Sequence, residues 1–199
     1  METIRGRKSL ELDLNGLMDR LAKYNRITLD LGTGDGRYVC TLAGAHPDWF
    51  IIGVDSCREN LREYSQAKLQ NMLFVIASAQ DLPNEFNGLI SHLTINFPWG
   101  SLLESLLTND LSLISRLSSI SRPNAQIDIH LNSGALAEVK SALEDGAIKI
   151  QENLASAGWQ IRGPVLMNAR DLKNFSTTWA RRLAHGRDPQ AMILRGCLK

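Results

Sequence analysis

The chain has 199 residues, 44% of them hydrophobic, and 22 Lys/Arg against 21 Asp/Glu leave a net charge of +1. That length supports one core without disulfides, no run reaches the ~18 apolar residues of a membrane span, and the Met1-Glu-Thr-Ile-Arg5 start lacks the apolar segment of a signal peptide. Cys40, Cys57 and Cys197 are odd in number and lack metal-ligand spacing, so a reducing, cytoplasmic setting without a bound metal is expected. The charge is unevenly spread. Residues 1–26 carry six Lys/Arg against four Asp/Glu, residues 170–199 carry seven against two, and the middle holds nine against fifteen. A polyanion would therefore meet the two ends of the chain.

In chain order, Glu2–Asp13 alternates enough to form a small hairpin and Asn15–Tyr24 reads as a helix. Residues 1–25 thus form an extension to a domain spanning 26–199. From Ile27 onward apolar runs alternate with helical patterns. Strands are predicted at Ile27–Leu31, Phe50–Val54, Leu73–Ile76, Leu89–Asn96 and Ala125–Leu131, and helices at Arg37–Ala45, Arg58–Leu69, Leu102–Leu117 and Ile148–Ala157. Such alternation predicts an α/β fold, a mostly parallel sheet with helices on both faces. Gly158 ends the last helix, after which Trp159–Arg162 and Ala191–Leu198 pair antiparallel as a final hairpin.

The first predicted core strand runs into Asp30-Leu-Gly-Thr-Gly-Asp-Gly-Arg37, with Gly32, Gly34 and Gly36 at alternate positions. Glycines here let backbone N–H groups approach an adenosyl group. The G-x-G-x-G spacing differs from the G-x-G-x-x-G of dinucleotide folds and suits S-adenosylmethionine better than NAD. Trp49–Asp55 is an apolar strand ending in an acid placed to accept ribose hydroxyls, and Ala77-Ser-Ala-Gln-Asp81 closes the third strand. The competing local reading is a plain turn, with Asp55 capping a helix that starts near Arg58.

Asn96-Phe-Pro-Trp-Gly-Ser101 follows the fourth strand, at the carboxyl edge where ligands bind in open α/β sheets. Trp99, between Pro98 and Gly100, is expected to point away from the core. Trp179 lies in the basic stretch Ser176-Thr-Thr-Trp-Ala-Arg-Arg-Leu-Ala-His-Gly-Arg187. Two aromatic faces beside a methyl donor point to a nucleic-acid base held by stacking. His46, His92, His130 and His185 have no metal spacing.

Together the glycine motif, Phe97-Pro-Trp-Gly-Ser-Leu-Leu-Glu104 and Trp179-Ala-Arg-Arg-Leu-Ala-His-Gly-Arg187 resemble the aminoglycoside-resistance methyltransferases that modify N1 of adenine 1408 in 16S rRNA. The resemblance implies a Rossmann-like class I methyltransferase: a seven-stranded, mostly parallel sheet with a C-terminal antiparallel hairpin. It also implies S-adenosylmethionine as methyl donor and 16S rRNA in the assembled 30S subunit as substrate; with so large a substrate and so short a chain, a monomer is expected. By position, Asp30, Gly32, Gly34, Asp55, Ala79, Gln80, Asn96, Ser101 and Thr177 would line the cofactor pocket. Trp99 and Trp179 would stack the flipped adenine. Arg5, Arg7, Lys8, Arg181, Arg182 and Arg187 would hold rRNA. Gln80, Asn96 and Pro189 stand where the family can carry Glu, an apolar residue and a basic residue. Other readings stay open: adenine N6 methylation, suggested by Asn96-Phe-Pro-Trp99, tRNA guanine N7 methylation, or a ribosome-binding module without turnover.

Overall fold

The structure is a computed structural model that describes residues 1–177, 180 and 190–199. Among these residues nine strands form one sheet in the order β2-β1-β5-β4-β3-β6-β7-β9-β8. The central strands β3 (Arg26–Leu31), β4 (Trp49–Asp55), β5 (Met72–Ile76), β6 (Ile90–Asn96) and β7 (Ser121–Asn132) pair in parallel. The first four are largely buried on both faces, which is why they read as mostly apolar runs, whereas β7 starts exposed at residues 122–124 and is buried mainly in its second half. β9 (Ala191–Leu198) lies antiparallel between β7 and β8 (Trp159–Leu166), and the β8 register slips between Arg162 and Val165. These seven strands are the expected class I sheet. The other two, β1 (Glu2–Arg5) and β2 (Lys8–Glu11), are the expected N-terminal hairpin, which joins the same sheet through Thr3 opposite Val75 of β5.

The main core packs one sheet face against α1 (Leu14–Leu21), α3 (Gly100–Leu107), α4 (Leu111–Ile120) and α6 (Leu143–Ala155). On the other face α2 (Arg37–Ala45) buries Val39 and Ala43 against Ile51, Leu61 and Phe74. A third cluster joins Phe97, Met167, Leu172 of α7 (Ala169–Asn174), Ala180, Ala191 and Ile193.

Three expectations need correction. The helix expected at Arg58–Leu69 is instead two 3₁₀ turns, Asn60–Arg62 and Tyr64–Gln66. In these turns only Leu61 and Ser65 are buried, too few for the apolar stripe that holds a long amphipathic helix. The single helix expected at Leu102–Leu117 is two helices, broken where Asn109 turns left-handed (φ 57°) and Asp110 caps α4 by accepting from the Ser112 N–H at 3.0 Å. α5 (Ser133–Glu138) was not expected at all, and α6 starts at Leu143 rather than Ile148, its first turn carrying Glu144 and Asp145 where a helix N-terminus favours negative charge.

Candidate active site

β3 has parallel neighbours on both sides, β4 and β6, whose connections leave in opposite directions. That is the topological switch point, and the crevice above the carboxyl ends of its strands is where such sheets bind ligands. A cleft of about 480 Å³ opens there, within the size range of small-molecule sites. Asp30, Gly32, Gly34, Asp55, Ala79, Gln80, Asn96, Trp99, Ser101 and Thr177 all line it.

The glycine turn is tied down by backbone bonds. The N–H groups of Gly32 and Thr33 donate to the Val54 carbonyl at 2.9 and 3.0 Å. Asp55 then straps the turn to β4. Its Oδ2 accepts the Gly34 N–H and its Oδ1 the Cys57 N–H, both at 2.8 Å, which leaves lone pairs on both oxygens. With two 3₁₀ turns in place of the helix, Asp55 caps no helix near Arg58. Nothing lies within 4 Å of where a Cβ on Gly34 would stand, so that side of the turn is open to a ligand.

Asp30 is buried at the floor of the cleft. Its Oδ1 accepts from Thr94 Oγ1 at 2.8 Å and from Asn96 Nδ2 at 2.7 Å, while Oδ2 is buried without a hydrogen-bond partner. Burial pushes this carboxyl up to about 6, against the pull of Thr33, Thr94 and Asn96. Because it is raised above its ordinary 3.8, the stability it contributes is full below about pH 4 and lost as pH rises through about 6. Asp30→Asn should therefore be more stable than the native chain above pH 6, by up to about 3 kcal/mol, with the gap closing toward pH 4. Urea unfolding between pH 4 and 8 checks this, and a gap that does not change with pH contradicts it.

After β6 the chain turns sharply. Phe97 takes φ 54°, its N–H donating to the His130 carbonyl at 2.8 Å. Trp99 follows at the α3 N-terminus, half-buried, lining the cleft and leaning on the main core. The expectation that it avoids the core thus holds for only part of the ring. Across the cleft, Thr177 Oγ1 accepts the Ala180 N–H at 3.0 Å. Trp179, Arg181, Arg182 and Arg187 lie outside the described residues.

A family model described as NpmA, 16S rRNA (adenine(1408)-N(1))-methyltransferase, matches residues 2–198. The chain belongs to that family. The Escherichia coli 16S rRNA (adenine(1408)-N(1))-methyltransferase is 31% identical over 205 residues, covering 94% of each sequence. Among solved structures, the 16S rRNA methyltransferase KamB matches the whole of both chains with a TM-score of 0.90 at 25% identity. A variant of the Catenulisporales acidiphilia 16S rRNA (adenine(1408)-N(1))-methyltransferase with cosubstrate SAM matches with a TM-score of 0.87 at 25% identity, covering 100% of this chain and 96% of that one.

In this member of the methyltransferase family Gln80 is not idle: its Nε2 donates to Ser105 Oγ at 2.8 Å and its Oε1 accepts from Ser78 Oγ at 2.6 Å. The side chain thereby ties the strand end to α3. Tyr38 and Asn60 also line the cleft but escaped the sequence reading. Tyr38 looks like any helix residue, and Asn60 falls in a stretch whose pattern predicts a helix where the structure has a 3₁₀ turn.

Arg5, Arg7 and Lys8 are exposed around the β1–β2 turn, away from the cleft lining. The Gly6 N–H of that turn donates to Ser65 Oγ at 2.8 Å, and an Arg58 guanidinium nitrogen lies 3.5 Å from the Arg7 carbonyl. Arg58 therefore joins the same basic surface, a neighbour that sequence position alone does not reveal.

Proposed function

We propose that this chain transfers a methyl group from S-adenosylmethionine to N1 of adenine 1408 of 16S rRNA, within the assembled 30S subunit, and so confers aminoglycoside resistance. One observation carries the reading. Nine residues spread from Asp30 to Thr177, together with Trp99, converge on one cleft at the switch point. The residues present fit the cofactor. The unpartnered Asp30 Oδ2 suits the methionine ammonium, the spare lone pairs of Asp55 suit the ribose hydroxyls, and the open side of Gly34 admits a close backbone approach.

When bound, S-adenosylmethionine supplies an electrophilic methyl group. Adenine N1 is unprotonated at neutral pH and carries its own lone pair, so no side chain has to act as base. The work of the protein is then orientation and exclusion of water. Trp99 and Trp179 clamp the flipped base, and their faces stabilise the positive charge that develops on the ring.

One feature weighs against exocyclic N6 methylation. Phe97 takes a positive φ that a proline ring forbids, so the turn differs from the Asn-Pro-Pro-aromatic turn of amino-methyltransferases. The test is to incubate the protein with purified 30S subunits and S-adenosylmethionine, then run reverse transcription across the decoding region. A cofactor-dependent stop at adenine 1408 supports N1 transfer. Label without a stop favours N6, and no label in any RNA leaves a binding module.

In the same reading residues 1–25 act as a docking extension and the chain works as a monomer. Reversing the charge of Arg5 and Arg7 together, with glutamate at both, should weaken 30S binding by about tenfold near 50 mM salt, with the loss shrinking as salt rises. Unchanged binding at low salt would move the docking surface off the hairpin.

A further inference from the structure

One aromatic ring touches two segments that line the cleft and a third element, β7, beside them. Phe175 follows α7 and stands two residues before Thr177. Its ring lies nearly parallel to that of Tyr38 in the first turn of α2, with centroids 5.4 Å apart and planes 12° apart. It meets Phe97 edge-on, at 5.8 Å and 85°, and rests against His130 of β7 at 4.4 Å. Tyr38 itself lines the cleft beside Asp30 and Thr177.

Phe97 is where this matters. A bulky residue with φ 54° is a rare conformation that costs of order 1–3 kcal/mol and persists only when its surroundings hold it. Two things hold it here. Its N–H is fixed to the His130 carbonyl at 2.8 Å, and its ring is 2% exposed in the cluster that includes Phe175. Asn96 precedes it and Pro98 and Trp99 follow it, so its conformation sets where the candidate base platform stands relative to Asp30.

We propose that Phe175, braced by Tyr38, is a positioning residue for methyl transfer: its ring wedges Phe97 into the left-handed conformation that places Trp99 along the cleft. Phe175 is not among the residues that line the cleft, so it acts through Phe97 rather than on a ligand. A displacement of about 1 Å in the platform is enough to lower a rate about a hundredfold, so the effect falls on kcat.

The kinetic arm rests on the reaction proposed above, so a second arm does not use activity. With 5-fluorotryptophan incorporated and the Trp99 fluorine resonance assigned from Trp99→Phe, Phe175→Leu and Tyr38→Leu should shift or broaden that resonance. Trp159, 1% exposed in the main core, should stay where it is. The same two variants should lower kcat on 30S subunits at least tenfold, with KM within threefold and, for Phe175→Leu, whose residue does not line the cleft, the S-adenosylmethionine Kd within threefold as well, whereas Phe175→Tyr keeps the native resonance and a kcat within threefold. An unmoved Trp99 resonance overturns the proposal. So does a loss in Phe175→Tyr equal to that in Phe175→Leu, or a rate loss explained by KM or by a lower Tm. If Phe175→Leu does not fold, Tyr38→Leu decides. If the native protein methylates no RNA, the proposed reaction fails, while the resonance still decides the positioning role.

Discussion

Trp99→Ala is expected to slow methyl transfer to 30S subunits by one to two orders of magnitude while S-adenosylmethionine binds within about threefold of its native affinity. Stacking a base on an aromatic face contributes about 1–3 kcal/mol, and a ring that also faces developing positive charge adds a share felt only in the transition state. The loss should therefore appear in kcat. Trp99 is half-buried and partly supported by the core, so the alanine variant is also expected to lose some stability. Trp99→Phe, which keeps a face of smaller area, should recover much of both. Single-turnover methylation combined with calorimetric titration of the cofactor checks this. A native rate in Trp99→Ala would remove the stacking role altogether.

Gly36→Ala should damage the fold rather than the chemistry. Gly36 caps α2 with φ 81°, and a Cβ there would stand 2.5 Å from Cε1 and 2.7 Å from Cζ of Phe74. Phe74 is 2% exposed and is hemmed in again by Gly53, whose own Cβ would come within 2.9 Å of the same ring and of Val39. The ring has nowhere to go. A left-handed non-glycine residue costs about 1–2 kcal/mol and overpacking about 1–3 kcal/mol more, a large part of the roughly 5–15 kcal/mol that holds a domain together. Gly34→Ala is the control: with φ 59° it bears the backbone cost, but its side is open. It should remain folded and lose cofactor affinity instead. Equal urea midpoints for the two variants would show that contact with Phe74 is not what fixes Gly36.

Much of this was readable from the sequence because the signals are local. Four of the five parallel strands announce themselves as mostly apolar runs, and the glycine spacing, Asp55 and Asn96-Phe-Pro-Trp99, all of which meet at the cleft, sit in short contiguous stretches. What stayed hidden depends on contacts between distant segments. The stretch around Leu61 has the composition of a helix, yet only the packing against α2 reveals that it buries too little to be one. The break at Thr108-Asn109-Asp110 was present in the letters as an Asn followed by a capping Asp, and it was outweighed by the leucines on either side. The left-handed Phe97 has no local signature, since nothing in Asn96-Phe-Pro98 demands it. It is imposed by Phe175 and His130, roughly 80 and 30 residues away in the chain. Tyr38 is hidden for the same reason, because its role depends on a ring that arrives from α7.

The slip in β8 has a consequence for how copies of the chain behave toward one another. Any open sheet presents two rims of unused backbone donors and acceptors, and such rims invite other strands to join and grow into aggregates. On one rim Pro164 has no N–H to offer, and the irregularity between Arg162 and Val165 throws the strand out of line, although Val165 and Leu166 are 57% and 63% exposed. The other rim is β2, four residues long, with Lys8 and Glu11 at its ends. Short, charged and kinked rims of this kind make poor templates for a further strand, so both ends of the sheet are guarded against edge-to-edge pairing despite the exposed Val165 and Leu166.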